Sequence, residues 1–245
     1  MLTVIITTFN EALHIGDLLD NIRWADEIIV VDSFSTDDTA GIAKKQGAIV
    51  HQRAYKGPAD QKNWAIQQAS NEWILLLDAD ERVTPALKKE VQRLLKQPNP
   101  HIDAYWIPRQ NYFLGKKIKY SGWQGDKVIR FFKSSCRYND KQVHEEIETK
   151  GINVGQLKGK LEHFTYRNME HFLDKMRRYA RWSALDYEAK TKRVGLFHLW
   201  VKPGFRFIKH YFIKGGFRDG KAGFIISVVM AWGVFLRYVF IKEKR

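Results

Sequence analysis

Along the first eighty residues, apolar runs alternate with amphipathic segments, and the longer runs end on a polar tip. "LTVIITT" (2–8), "EIIVVD" (27–32) and "WILLLD" (73–78) carry too few polar positions for a strand with one wet face. They read as strands covered on both sides. "ALHIGDLLDNI" (12–22) places Leu13, Ile15, Leu18, Leu19 and Ile22 near helical spacing. "STDDTAGIAKKQG" (35–47) opens with Ser35 three residues before Asp38, a capping-box pattern, and stops at Gly47. "AIV" (48–50) reads as a short strand and "QKNWAIQQA" (61–69) as a helix. This alternation predicts an α/β fold with a mostly parallel sheet flanked by helices. Ligands of such sheets bind beyond the carboxyl ends of the strands. Thr7, Thr8, Asp32 and Asp78 occupy those ends and are expected to converge.

The third run poses a chemical question. Ile74 to Leu77 lead directly into Asp78, Ala79, Asp80 and Glu81, and carboxylates at the edge of a core are costly unless neutralised. Two aspartates at this spacing can share a hard divalent cation, with water and phosphate oxygens completing its shell. Such a cation would also neutralise a diphosphate leaving group. The alternative is surface acids, with Glu81 serving the dipole of the helix expected over 85–97. Asp32 can accept from a uracil N–H or from ribose hydroxyls, whereas Ser35, Asp37 and Asp38 read as turn and capping residues. No G-x-G-x-x-G or Walker-type loop occurs, which argues against dinucleotide cofactors and P-loop ATP cleavage.

Charge separates the two parts of the chain. Residues 1–100 hold 11 Lys/Arg against 14 Asp/Glu, and residues 101–245 hold 30 against 13. The basic part is expected to meet an anionic partner. Within it, residues 195–245 carry 10 Lys/Arg and 2 Asp/Glu among large aromatics. Phe205, Ile208 and Phe212 share one helical face, with Arg206, Lys209 and Lys214 around it, as in a helix lying at a bilayer surface. The uncharged run Ala222 to Leu236 is 15 residues long, whereas a full span wants about 20. Peripheral or re-entrant attachment is therefore expected, the alternative being a buried helical subdomain with a basic exterior. Nucleic acid is disfavoured, because the aromatics sit within apolar runs. The single cysteine, Cys136, and an N-terminus without a basic n-region or cleavage site suit the cytoplasm.

As an ordered set, "VIITTFNE", "EIIVVDSFSTDDT", "QKNWAI" and "WILLLDADE" resemble the nucleotide-sugar half of glycosyltransferase family 2, which has the GT-A fold. The resemblance implies that Thr7, Thr8, Phe9 and Glu11 line the nucleotide pocket, that Asp32 meets the base and that Lys62 lies near the diphosphate. It also implies that Asp78 and Asp80 form an Asp-x-Asp site for Mg²⁺ or Mn²⁺. Where Asp-Gly-Ser is common after the second strand, this chain has Ser33-Phe34-Ser35. "PRQNYFLGKKIKYSGWQGDKVIRFF" and "VHEEI" are further similar to short bacterial transferases that add glucose to a heptose of the lipopolysaccharide inner core. The donor so implied is UDP-glucose. The acceptor is a lipid-anchored, phosphorylated glycan, met by an enzyme attached peripherally to the inner face of the cell inner membrane.

Inverting transfer needs a base for the acceptor hydroxyl. Asp126, in a loop with Gly122 and Gly125, is the first choice and Glu145 the second. His144 is a possible third metal ligand or diphosphate donor, and Arg130 or Arg109 could balance Asp126 or a phosphate. The expected organisation is a catalytic domain over 1–165, with a nucleotide-sugar half (1–100) and an acceptor half (101–165). A helical membrane-associating region follows over 166–245.

Overall fold

The computed structural model describes residues 1–139, 145–166 and 168–244. It contains two compact units: residues 1–109 with 125–163, and residues 110–124 with 164–245. Residues 110–124, which the sequence pattern groups with the acceptor half, thus belong to the unit that holds the C-terminal helices.

In the first unit, strands β1 (Leu2–Thr8), β2 (Glu27–Asp32), β3 (Ile49–Gln52) and β4 (Trp73–Asp78) form a parallel sheet in the order β3-β2-β1-β4. Strand β5 (Glu81–Val83) follows the acidic turn. Strands β6 (Ala104–Phe113) and β8 (Lys127–Lys133) extend the sheet antiparallel beyond β4, after the short β7 (Lys116–Lys117). Strand β9 (Val154–Gln156) pairs with β6, and β10 (Leu161–Tyr166) pairs with β5. The helices are α1 (Ala12–Ile22), α2 (Thr39–Lys45), α3 (Pro58–Ile66) and α4 (Pro85–Lys96).

Successive strand residues point to opposite faces, and the uniformly apolar runs build a core on each. Val4, Ile6, Val30, Leu75 and Leu77 pack with Ile15, Leu18, Leu19 and Ile22 of α1 and with Leu87 and Val91 of α4. Ile5, Ile29, Val31, Ile74 and Leu76 pack on the other face with Ala59, Ala65 and Ile66 of α3. Each such side chain contributes about 1.5–3 kcal/mol on burial, so both helix layers hold the strand tips in register.

Helix α2 begins at Thr39, not at Ser35, and its N-cap Asp38 makes no side-chain capping bond. Ser35 Oγ accepts from Asn10 N at 2.8 Å and donates to Asp32, tying the end of β1 to the end of β2. The capping-box pattern therefore marks a cross-loop anchor. Helix α3 begins at Pro58 and ends at Ile66, earlier at both ends than the pattern places it, because Pro58 pre-sets the first turn.

In the second unit, α5 (Met169–Glu188) packs along α7 (Lys221–Glu243). Phe172 and Met176 meet Ile226 and Val229 in one core, and Ala184 meets Val234, Tyr238 and Ile241 in another. Between these helices the chain runs through α6 (Lys202–Ile208), flanked by π-helical turns at Phe197–Val201 and Lys209–Ile213, and a 3₁₀ turn at Gly216–Asp219. A Cβ on Gly223 would lie 1.8 Å from Gly216 O, so the 3₁₀ turn can only rest on α7 at a glycine. Buried Asp219 accepts from Lys119 N, Tyr120 N and Ser121 Oγ, which pins the loop after β7. Helix α7 is 23 residues long, with a mean hydropathy of 2.1 over its most apolar window.

Candidate active site

The β-sheet register sets the site. Thr7 is opposite Val31 and Asp78, and Thr8 is opposite Asp32, so the carboxyl ends of three parallel strands lie side by side. A cavity of about 550 Å³ opens at this edge. Thr7, Thr8, Phe9, Lys62, Asp78 and Glu145 line it, together with Ser33, Tyr55, Pro58 and Gln61. The Oγ1 of Thr8 is buried and has no hydrogen-bond partner among the described residues. A buried hydroxyl at a cavity wall is a polar contact held ready for a ligand.

Charge pairing answers the question raised by the acidic turn. Arg130, buried in β8, donates to Asp78 and lies 3.2 Å from Glu81 Oε2 through its Nε. Arg109 reaches Glu81 Oε1 at 3.6 Å and grips Asp126 with two bonds of 3.0 Å. Glu81 is fully buried and also accepts from Asp78 N at 3.0 Å. It is a structural centre of the network and not a solvent-facing helix-dipole residue. Burial alone would raise the Asp78 pKa, but Arg130 first, then Lys62, His163 and Arg109, hold its carboxyl well below the usual range. Asp78 is consequently ionised and, with its side chain 37% exposed, available at the cavity.

Lys62, on α3, is buried, and its Nζ lies 2.5 Å from Glu145 Oε1 and 5.1 Å from the centre of the Tyr138 ring. Burial works against its charge, yet Asp78, then Tyr138 and Glu145, raise its pKa above the ordinary lysine value. It remains an ammonium at the wall where an anion would enter.

Several expected residues fall elsewhere. Asp32 is fully buried and accepts from Ser35 N at 2.9 Å, from Ser35 Oγ and from Gln52 Nε2 at 3.4 Å. These bonds come from the loop that follows the strand and from Gln52, and the neighbouring Ser33 lines the cavity. Glu11 adjoins α1 and is absent from the cavity wall; its charge, with those of Asp17 and Asp80, acts on Arg82. Asp126 is held by Arg109, outside the cavity lining, whereas Glu145 is part of it. Arg130 pairs with Asp78 and Glu81, and not with Asp126. His144 lies outside the described residues.

His163 was not singled out by its sequence context. It sits opposite Glu81 in the β10–β5 pairing, with its Nε2 3.5 Å from Asp80 Oδ2. Among the described residues no three carboxylate, thiol or imidazole side chains gather as a preformed metal cage. A Mg²⁺-type ion held by one or two carboxylates and by substrate phosphates needs no such cage. Asp78 lines the cavity and Asp80, beside His163, does not; both offer the carboxylate oxygens that such an ion takes.

Comparison with known proteins decides the family. The family model described as Glycosyl transferase family 2 matches residues 3–157. The chain belongs to glycosyl transferase family 2. It is thus a nucleotide-sugar-dependent glycosyltransferase. Among its relatives is the lipopolysaccharide core biosynthesis glycosyltransferase LpsC of Rhizobium meliloti, 30% identical over 96% of this chain and 89% of that protein. An uncharacterized glycosyltransferase of Rickettsia prowazekii is 28% identical over 99% of this chain and 87% of its own length. The mannosyltransferase PcManGT of Pyrobaculum calidifontis, solved with GDP-Man and Mn²⁺, superposes with a TM-score of 0.54. At 17% identity it covers 99% of this chain and 74% of that one, which shows the shared GT-A fold.

Proposed function

We propose that this family 2 enzyme transfers glucose from UDP-glucose, with inversion, to a heptose of the lipopolysaccharide inner core. The observation that carries the reading is the cavity itself. Buried Thr8 Oγ1, the Lys62 ammonium and the ionised Asp78 meet there at the ends of three parallel strands. Lys62, an ammonium in the cavity wall, would bind the diphosphate. The ring of Tyr55, 59% exposed, offers an apolar face for the base.

Asp78 and Asp80 would hold Mg²⁺ or Mn²⁺, with His163 beside Asp80. When bound, that ion supplies charge neutralisation for the departing diphosphate. Glu145, in the cavity wall, takes the base role in preference to Asp126, whose two oxygens are engaged by Arg109. In the transfer, the Glu145 carboxylate accepts the acceptor hydroxyl proton as the oxygen bonds to the anomeric carbon. The carbon–phosphate-oxygen bond breaks, and UDP leaves.

The acceptor assignment draws on the relative named for lipopolysaccharide core biosynthesis. It is also supported by the second unit, where Trp200, Phe205, Phe212, Ile213 and Phe217 are 71, 60, 57, 66 and 53% exposed amid basic residues. Such a surface suits peripheral attachment to the inner face of the membrane. A second reading is favoured by one observation: both candidate bases, Asp126 and Glu145, are ion-paired. A polyprenyl phosphate acceptor is already an anion and needs neither.

Calorimetry with UDP-glucose in the presence of Mn²⁺, followed by UDP release on addition of core acceptor, tests the proposal. Binding and release are expected. Binding without release to any hydroxyl acceptor, but with release to polyprenyl phosphate, would transfer the assignment to the second reading.

A further inference from the structure

The second unit holds a cavity of its own, of about 480 Å³, between α6 with its preceding π-turn and the C-terminal half of α7. Its wall combines two chemistries. Lys202, Arg206, Lys209 and Arg237 bring four cations, while Phe197, Phe205 and Val234 give it an apolar side. Among the described residues, none of the four cations is paired with a carboxylate. Lys202 donates to Tyr238 Oη at 2.7 Å, and Arg206 Nη1 lies 3.4 Å from His210 Nε2. The Arg237 guanidinium rests 4.4 Å from the centre of the Tyr187 ring, and its Nε is buried without a hydrogen-bond partner.

This arrangement is unfavourable by itself. Burial, and then the like charge of Arg237, depress the Arg206 pKa. Guanidinium groups placed this way, with no acid between them, are matched by an anion with several acceptor oxygens. The adjacent phenylalanines, 57% and 60% exposed at Phe197 and Phe205, add an apolar wall that a free inorganic ion would not use. We propose that this cavity is a binding site for the phosphomonoester headgroup of a bilayer lipid, whose three terminal oxygens suit the guanidinium groups of Arg206 and Arg237, with the apolar wall against the lipid's glycerol and first methylenes. The occupant is an amphiphile because cationic and apolar walls face the same space. The π-turns flanking α6 fit a site of this kind, since such turns recur at functional positions.

The inference deepens the membrane-surface part of the proposed function, and its test uses no sugar nucleotide, so its failure leaves the transfer chemistry untouched. Co-sedimentation of the full chain with phosphatidylcholine vesicles doped with phosphatidic acid is compared with vesicles doped with phosphatidylglycerol to the same surface charge. The site predicts a several-fold preference for the phosphomonoester. Arg206→Gln with Arg237→Gln is expected to weaken binding about tenfold more than the exposed pair Lys192→Gln with Arg193→Gln, which removes the same charge. Inorganic phosphate, set against chloride at matched ionic strength, should not release the protein. Equal binding to the two lipids, equal loss in the two double variants, or release by inorganic phosphate would each overturn the assignment. The lipid comparison on the unaltered protein stands even where a variant fails to fold.

Discussion

The Nζ of Lys62 lies 2.5 Å from Oε1 of Glu145, and both side chains share a cavity wall with Asp78. If the Lys62 ammonium turns to a diphosphate, the Glu145 carboxylate it now pairs with is left to accept a proton. Glu145→Gln is expected to lower kcat by about 10²–10⁴ with little change in donor KM. Lys62→Met is expected to raise donor KM about tenfold or more, through loss of a charge-assisted bond. Asp126→Asn should cost stability and leave turnover within a few-fold. Steady-state kinetics separates the three. Wild-type turnover of Glu145→Gln on a hydroxyl acceptor would remove Glu145 from the chemistry.

Arg130 is the counter-ion that makes the acidic turn foldable. Arg130→Met leaves Asp78 and Glu81 facing each other near the core, a loss of about 3–5 kcal/mol by analogy with other broken buried pairs. Thermal unfolding should show the drop. Mn²⁺ with UDP should recover a larger share in the variant than it adds to the wild type, because the carboxylate it meets has lost its other cation. An unchanged midpoint would show that the pair contributes little.

Phe34 replaces the glycine common at this position and has φ +58° with its ring 54% exposed. A left-handed backbone costs a bulky residue about 1–2 kcal/mol, while glycine brings back about 0.5–1 kcal/mol of unfolded-state entropy. Phe34→Gly is therefore expected to stabilise the protein by up to about 1 kcal/mol, read as a rise in the urea midpoint. A clear loss of stability would mean that the ring packs on something essential.

Glu27 links β2 to the start of β1 and to the loop before β4, accepting from Thr3 Oγ1, Ser70 N and Ser70 Oγ at 2.5, 2.9 and 2.8 Å. Burial pushes its pKa up, but these bonds together hold it below the ordinary 4.5. A depressed carboxyl stabilises the fold fully above its unfolded pKa and loses that contribution as pH falls through the folded value. Glu27→Gln should lower the unfolding midpoint at pH 7 by about 2–4 °C. The gap between variant and wild type should close below about pH 4. A gap that stayed constant with pH would contradict the assignment.

The parallel strands and their tips were legible because periodicity is a local signal, whereas Phe9, Lys62 and Glu145 of the cavity wall came from the family resemblance. Residues 2–8, 27–32 and 73–78 could only be doubly covered strands, and a parallel register then brings Thr7, Thr8 and Asp78 together. What escaped was non-local pairing. Nothing near Asp78 in sequence indicates that Arg130, 52 positions on, would neutralise it, or that His163 would lie opposite Glu81. Ser35 was ambiguous in another way: its spacing to Asp38 spells a helix cap, and only the folded backbone shows it turned back to Asp32 and Asn10. Tyr55 carried no local signal: it lies in the loop between β3 and α3, two residues before Gly57.

The most direct test is mass spectrometry of a truncated core lipid incubated with the purified protein and a panel of UDP- and GDP-sugars. The lipid should gain one hexose from UDP-glucose, the gain should vanish on chelation with EDTA, and Asp78→Asn should abolish it while remaining folded. No mass added from any donor in the presence of Mn²⁺, or undiminished transfer by Asp78→Asn, would contradict the role given to the strand-end carboxylate.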